Sequence, residues 1–373
     1  MATTRRLTGV DGLRGLAAVG VVGVHVWMYT GPRTPGHTTA LDAVIGEVRL
    51  GLMYFFVLSA FLMARPWARG EQPRLGRYVV QRAARVLPAY WVALAGAFAI
   101  LWGTGHPRAI DAGQLPAFLL FAQNQVEASA GQLNPPTWSL AVEVGFYALL
   151  PLIGWALLRG RPLAICALVI AGGLGWSLLV ELSGWPATAT TSVLTYLPIF
   201  ACGIAAAVLA QRHTVSRRGA VALLVAGWAL VVANGYWHSG GATGLLGHVV
   251  RDLPAGVGFA AIVLGVTARP ARVLDFPPIR WLGTVSYGTY LWHMPILYWL
   301  KTRDLFPEDP LTAYVAVLGP ALLLGALSWR LIEQPVLRAV SARRDRRSSP
   351  RRTPARPWRA GQPSRPAAQA ARS

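Results

Sequence analysis

Stretches of about 20 residues built from Leu, Ala, Val, Ile, Gly and aromatic side chains recur along the whole chain, separated by short segments rich in Arg, Pro and Gly. A run of that length matches the hydrocarbon thickness of a bilayer. Inside lipid every peptide group needs an internal partner, so each run is predicted to be a helix. Ten runs fit, at roughly residues 10–30, 48–66, 86–104, 138–158, 163–181, 191–211, 219–237, 252–268, 281–300 and 311–333. The chain is 54% hydrophobic and 13% charged, a membrane-protein balance. The predicted fold class is an all-α integral membrane protein, a polytopic bundle of about ten transmembrane helices forming one domain over residues 1–335. The first run follows Arg5 and Arg6, as a secretory signal would. It also holds Arg14 and His25 and has no small-residue cleavage site after it, so it reads as a retained span.

Charge placement supplies a second test. Lys and Arg number 35 against 15 acidic residues, and all of them but Lys301 are Arg. With the amino terminus in the cytoplasm, the inner segments before residue 336 carry 16 arginines and the outer loops six basic residues. Six arginines, Arg65, Arg69, Arg74, Arg77, Arg82 and Arg85, fall in or beside one inner loop. The expected topology therefore has an even number of spans and both termini in the cytoplasm, in the cell membrane. Residues 336–373 hold eleven arginines and little that is apolar. They cannot bury a core and are expected to be a disordered Arg/Pro-rich cytoplasmic tail, held near anionic lipid in preference to nucleic acid. Cys166 and Cys202 lie inside apolar spans and read as small buried residues.

Two loops are long enough to matter. The outer loop 105–137 contains "LPAFLLFAQNQV" and then "NPPTW", read as a short interfacial helix and a proline-fixed return into the fourth span. The inner loop 66–85 reads as a basic amphipathic helix running into the third span.

Ionisable residues inside the apolar runs carry the functional signal, because a charge at membrane depth is costly unless it faces a bundle interior or a wet cavity. Arg14 and His25 are eleven positions apart, about 20° beyond three full turns, so they share one helix face and stand about 16 Å apart along it. Glu143 enters from the outer end of the fourth span, and His293 lies about 18 Å up the ninth. His25, Glu143 and His293 thus fall at one depth, with Ser286 on the face of His293. Such a cluster suits general-base catalysis. A neutral His25 takes the proton of an attacking alcohol, and Glu143 orients the ring and stabilises the imidazolium. Arg82 and Arg85, three apart on one face, could join Arg14 to hold the phosphates of an anionic donor.

Each residue also has a plainer reading. Arg14 snorkels or pairs with Asp11, Glu143 holds helices together by neutralising an arginine, and His25 and His293 make structural hydrogen bonds. A nucleophilic triad on Ser59, Ser139 or Ser286 lacks the strand–nucleophile–helix signature. Metal binding finds little support, since no two histidines have ligand spacing on one helix.

In order, the segments "GVDGLRGLAAVGVVGVH", "YFFVLSAFLM", "RYVVQRAARVLPAYW", "PTWSLAVEVGFYALLP", "LPIFACGIAAA", "WLGTVSYGTYLWHMPI" and "SWRLIEQPV" resemble the acyltransferase family 3 membrane proteins, transmembrane O-acyltransferases of cell-surface sugars and some secreted antibiotics. The resemblance covers residues 7 to about 337. It implies a cytoplasmic acyl-CoA co-substrate, no permanently bound cofactor, and an acceptor hydroxyl acylated within or across the membrane. The family's arginine–histidine motif falls on Arg14 and His25, its two-arginine motif on Arg82 and Arg85, and its acidic residue on Glu143. "LSAFLM" stands for the usual LSGFLI and "WSLAVEVGFY" for WSLSVEEQFY, so Ala60, Val144 and Gly145 depart from the pattern. Some members carry an extracytoplasmic hydrolase-like domain; this chain is expected to be the stand-alone type.

The resulting expectation is a bacterial membrane O-acyltransferase moving an acyl group, most simply acetyl, from acyl-CoA to a hydroxyl of a cell-surface glycan or glycosylated small molecule. His25 is the expected base, Glu143 its partner, and Arg14, Arg82 and Arg85 the donor clamp. Trp138, Ser139, Ser286, Tyr287 and His293 are expected to line the substrate site. The rival is a carrier that passes an acyl donor or small anion without chemistry, disfavoured by the lack of an unwound or repeated half-helix pair.

Overall fold

The structure, a computed structural model, describes residues 9–30, 47–239, 244–269 and 272–348. Ten long helices follow one another: α1 (Val10–Thr30), α2 (Gly51–Ala68), α3 (Leu75–Leu101), α4 (Thr137–Arg159), α5 (Pro162–Ser183), α6 (Val193–Arg212), α7 (Arg217–Ser239), α8 (Leu253–Ala268), α9 (Pro277–Thr302) and α10 (Pro310–Ser328). The basic helix expected to run from the inner loop into the third span is one helix, α3, but it begins only at Leu75, since α2 extends to Ala68. A π-helical segment, Trp329–Glu333, continues α10 into α11 (Gln334–Ser348). The expected domain boundary at residue 335 therefore falls inside continuous helix, and residues 349–373 lie outside the described ones.

Among the described residues, nine helical stretches are long and apolar enough to cross a membrane, and the protein is a multi-pass membrane protein. The tenth long helix, α9, falls short on apolarity because its middle is "VSYGTYLWH". It is nonetheless central. Arg14 meets Gly283, His25 meets His293 and Tyr29 meets Tyr298, so α1 and α9 run parallel and in register over the length of α1.

Small residues set that register. A Cβ on Gly15 would come within 2.6 Å of the Gly283 nitrogen, and one on Gly283 would collide with the Asp11 carbonyl. Without a hydrophobic force between helices in lipid, such close backbone contact is what holds a pair together. Gly203 of α6 does the same against Val57 and Ala60 of α2.

Prolines stand inside six of these helices, and at two of them a side chain from elsewhere satisfies the carbonyl that the proline frees. Pro295 leaves the Leu291 carbonyl without its helical donor, and Asn134 Nδ2 donates to it at 2.9 Å. Pro151 does the same to the Tyr147 carbonyl, which accepts from the Tyr78 hydroxyl at 2.9 Å. Both repairs fix the helix turn beside a residue of the site.

Buried side chains form two apolar clusters. One is centred on α2, α6 and α8 and contains the stacked rings of Phe146 and Phe200, 4.0 Å apart. The other joins the far half of α1 to α3, α9 and α10 around Tyr90 and Tyr298. Leu152, Leu168 and Leu182 are exposed on the outside of the bundle, as lipid-facing residues should be.

Candidate active site

Between the two clusters lies a cavity enclosing about 920 Å³, part of it open to solvent. Its apolar wall comes from α2 (Leu52, Phe55, Phe56, Leu62, Met63), and its polar wall from Arg14, Ser59, Arg82, Arg85, Ser139, Glu143, Tyr147, Ser286, Tyr287 and Tyr290. The mix of apolar walls with a few convergent polar groups is that of a small-molecule site. The three arginines expected to act together do line one cavity.

Their hydrogen bonds differ in kind. Arg14 donates from Nε to the Gly283 carbonyl at 3.1 Å and to Ser286 Oγ at 3.2 Å, and from Nη2 to the same carbonyl, while Asp11 lies 3.5 Å from Nη2. Much of its guanidinium is thus occupied in joining α1 to α9, and the pairing with Asp11 is present as well. Arg85 donates from Nη1 to Glu333 Oε2 at 2.6 Å and lies over the rings of Tyr287 and Trp329. Arg82 rests over the Tyr147 ring at 6.0 Å.

Glu143 is not beside His25. Its Oε1 accepts from Ser59 Oγ and from the Tyr147 hydroxyl, each at 2.5 Å, in the wall of the cavity. Equal depth in the membrane, the basis for pairing it with His25, does not specify which side of the bundle a residue faces.

The partner of His25 is His293. Their Nδ1 and Nε2 atoms stand 3.2 Å apart, with ring centroids 5.0 Å apart. A carbonyl only accepts, so the 2.9 Å contact of His25 Nδ1 with the Val21 carbonyl puts the proton on Nδ1. By the same reasoning His293 carries its proton on Nδ1, 2.6 Å from the Tyr290 carbonyl. The one Nδ1–H of His25 is then shared between the Val21 carbonyl at 2.9 Å and His293 Nε2 at 3.2 Å, and His25 Nε2 keeps its lone pair.

Neither histidine is among the residues lining the cavity. Tyr290 touches both the cavity and His293: it lines the cavity, its ring centroid lies 5.6 Å from that of His293, and its hydroxyl donates to the Pro136 carbonyl at 2.5 Å with Ser139 Oγ 2.6 Å away. Beyond the histidines, at the Tyr29 end of α1 and α9, Tyr29, Thr30, Lys301, Asp304, Phe306 and Glu308 line a second, open cleft.

Of the remaining expected residues, Ser139, Ser286 and Tyr287 line the cavity. Trp138 does not, packing with Phe56 and Tyr196. The three serines considered as nucleophiles bond to Glu143, Tyr290 and Arg14, with no histidine among their partners. Among the described residues, no group of three or more His, Cys, Asp or Glu is arranged to hold a metal ion. Sequence reasoning missed Ser59, Tyr147 and Tyr290 as wall residues, and Glu333 as the partner of Arg85. A lone carboxylate at the end of the apolar run "SWRLIE" was the available sign for the last.

Fold and cavity together define a multi-pass membrane protein with an arginine-rimmed pocket inside its bundle and, outside the pocket's lining, a half-buried His25 paired with a buried His293. Residues 7–330 match the Acyltransferase domain family Acyl_transf_3, and the chain belongs to that family. It is 25% identical over 368 residues to peptidoglycan O-acetyltransferase OatA of Listeria monocytogenes, a match covering 88% of this chain and 55% of the relative. Exopolysaccharide production protein ExoZ of Rhizobium meliloti is 29% identical over 317 residues, covering 79% of this chain and 91% of that protein. O-acetyltransferase OatA of Staphylococcus aureus is 23% identical over 372 residues, covering 90% and 58%. The chain thus spans about half the length of the OatA relatives it matches. No solved structure matches it.

Proposed function

We propose that the protein is a membrane O-acyltransferase that moves an acyl group, most simply acetyl, from cytoplasmic acyl-CoA to a hydroxyl of a cell-surface glycan or glycosylated small molecule. The observation that carries this reading is the His25–His293 pair, whose hydrogen bonds leave His25 Nε2 as a ready proton acceptor. The names of the OatA relatives support acetyl as the group and a glycan as the acceptor.

In this reading the Arg14 end of the bundle faces the cytoplasm, both termini lie on that side, and acyl-CoA is the co-substrate. Arg82 and Arg85 hold its phosphates at the cavity rim, with Arg14 contributing mainly through the helix pair it braces. The apolar wall takes the donor's arm, and the Glu143 carboxylate accepts from an amide N–H along it. The acceptor arrives through the cleft at Tyr29, one helical turn beyond His25.

His25 Nε2 takes the hydroxyl proton as the oxygen attacks the thioester carbonyl. The C–S bond then breaks, the new ester leaves, and the thiolate of CoA recovers the proton from His25. His293 Nε2 accepts from Nδ1–H of the imidazolium throughout, the role first expected of Glu143. Tyr290, which lines the cavity and touches His293, must turn aside for the thioester to meet His25.

The test is acyl transfer by purified protein in sealed proteoliposomes, supplied with radiolabelled acetyl-CoA and surface glycan. Labelled glycan from wild type but not from His25→Ala, with CoA binding retained in both, supports the reading. Label accumulating across the bilayer with no ester formed would identify a carrier and end it.

A further inference from the structure

We propose that Glu333 is a positioning residue for the donor: it pins Arg85 so that one edge of the guanidinium faces the cavity as a prepared two-point phosphate site. The inference rests on the acyl-CoA reading above.

Glu333 is 1% exposed and does not line the cavity. It closes the π-helical segment Trp329–Glu333, and a π-turn inside an otherwise regular helix tends to mark a functional position. Oε2 accepts from Arg85 Nη1 at 2.6 Å, and Oε1 from Ser328 Oγ at 3.3 Å, so both oxygens are engaged. The rings of Tyr287 and Trp329, 5.4 and 5.9 Å from the guanidinium carbon, confine Arg85 further.

What Glu333 leaves open carries the inference. Bound through Nη1, Arg85 makes no other hydrogen bond among the described residues, so the edge formed by Nε and Nη2 lacks a protein acceptor. That edge offers two parallel N–H groups, the geometry that binds phosphate bidentately. Arg14, by contrast, directs Nε and Nη2 at the Gly283 carbonyl. Of these two arginines at the rim, Arg85 is the one held with its two-point edge available. Fixing a long, flexible side chain before the ligand arrives removes that ordering cost from binding.

The test measures CoA binding by calorimetry in detergent, together with KM and kcat for acetyl-CoA. Glu333→Ala is expected to weaken CoA binding and raise KM about tenfold with kcat little changed, and Glu333→Gln, which keeps the volume and a neutral hydrogen bond, about threefold. Arg85→Ala combined with Glu333→Ala should bind no worse than Arg85→Ala alone. The exchange Arg85→Glu with Glu333→Arg re-forms the ion pair but puts a carboxylate at the rim. It should melt near wild type and not bind CoA, whereas a merely structural pair would recover both. Unchanged or tighter CoA binding in both single variants overturns the inference while leaving the acyltransferase reading intact. Wild type that binds no CoA overturns both.

Discussion

His25 and His293 face each other across α1 and α9 with Nδ1 and Nε2 3.2 Å apart, and each ring is oriented by a backbone carbonyl of its own helix. Two imidazoles from residues 268 positions apart form one unit, drawn from different ends of the sequence.

Removing the support should slow the chemical step and leave donor binding alone. His293→Asn is expected to lower kcat by on the order of 10-fold to 100-fold with KM for acetyl-CoA unchanged, since positioning supplies part of what a general base contributes. Single-turnover kinetics check this. A rise in KM with kcat intact would place His293 in the donor site instead.

Glu143→Gln should not alter the pH profile of kcat, because the carboxylate bonds to Ser59 and Tyr147 and not to His25. The expected effect is a rise in KM of roughly threefold to tenfold from a weaker acceptor in the cavity wall. A shifted pH profile would restore the original pairing of Glu143 with His25.

Tyr290→Ala removes the ring that lines the cavity against His293. Water then reaches the thioester near His25, so acetyl-CoA hydrolysis without acceptor should rise about tenfold while transfer falls. Free thiol released in the absence of glycan is the measurement.

Arg82→Ala and Arg14→Ala should separate. Arg82 makes no hydrogen bond among the described residues beyond its ring contact, and its loss is expected to raise KM for acetyl-CoA about tenfold, the more so at low salt. Arg14 braces α9 through the Gly283 carbonyl, and its loss should lower thermal stability and kcat together. Melting curves beside kinetics distinguish the two.

Gly283→Val forces a side chain against the Asp11 carbonyl. Overpacking of this kind costs about 1–3 kcal/mol, which should appear as a lower melting temperature in detergent and a loss of activity through the displaced carbonyl that Arg14 binds.

The sequence by itself determined that the chain lives in a membrane, where most of its helices begin and end, and which ionisable residues merit attention, because lipid imposes a length and an apolarity that can be read locally. It also placed Arg14 and His25 on one face, since helical periodicity is fixed. Even α9, too polar to pass as a span by composition, was legible from its length and from His293 within it.

What only the tertiary structure decided is which of these residues meet. Depth along a helix follows from counting, but azimuth around the bundle follows from packing, and packing depends on contacts such as Gly15 with Gly283 that join distant segments. Hence Glu143 turned to Ser59 and Tyr147, His293 came to lie beside His25, Glu333 took Arg85, and Tyr290 came to line the cavity against the His293 ring.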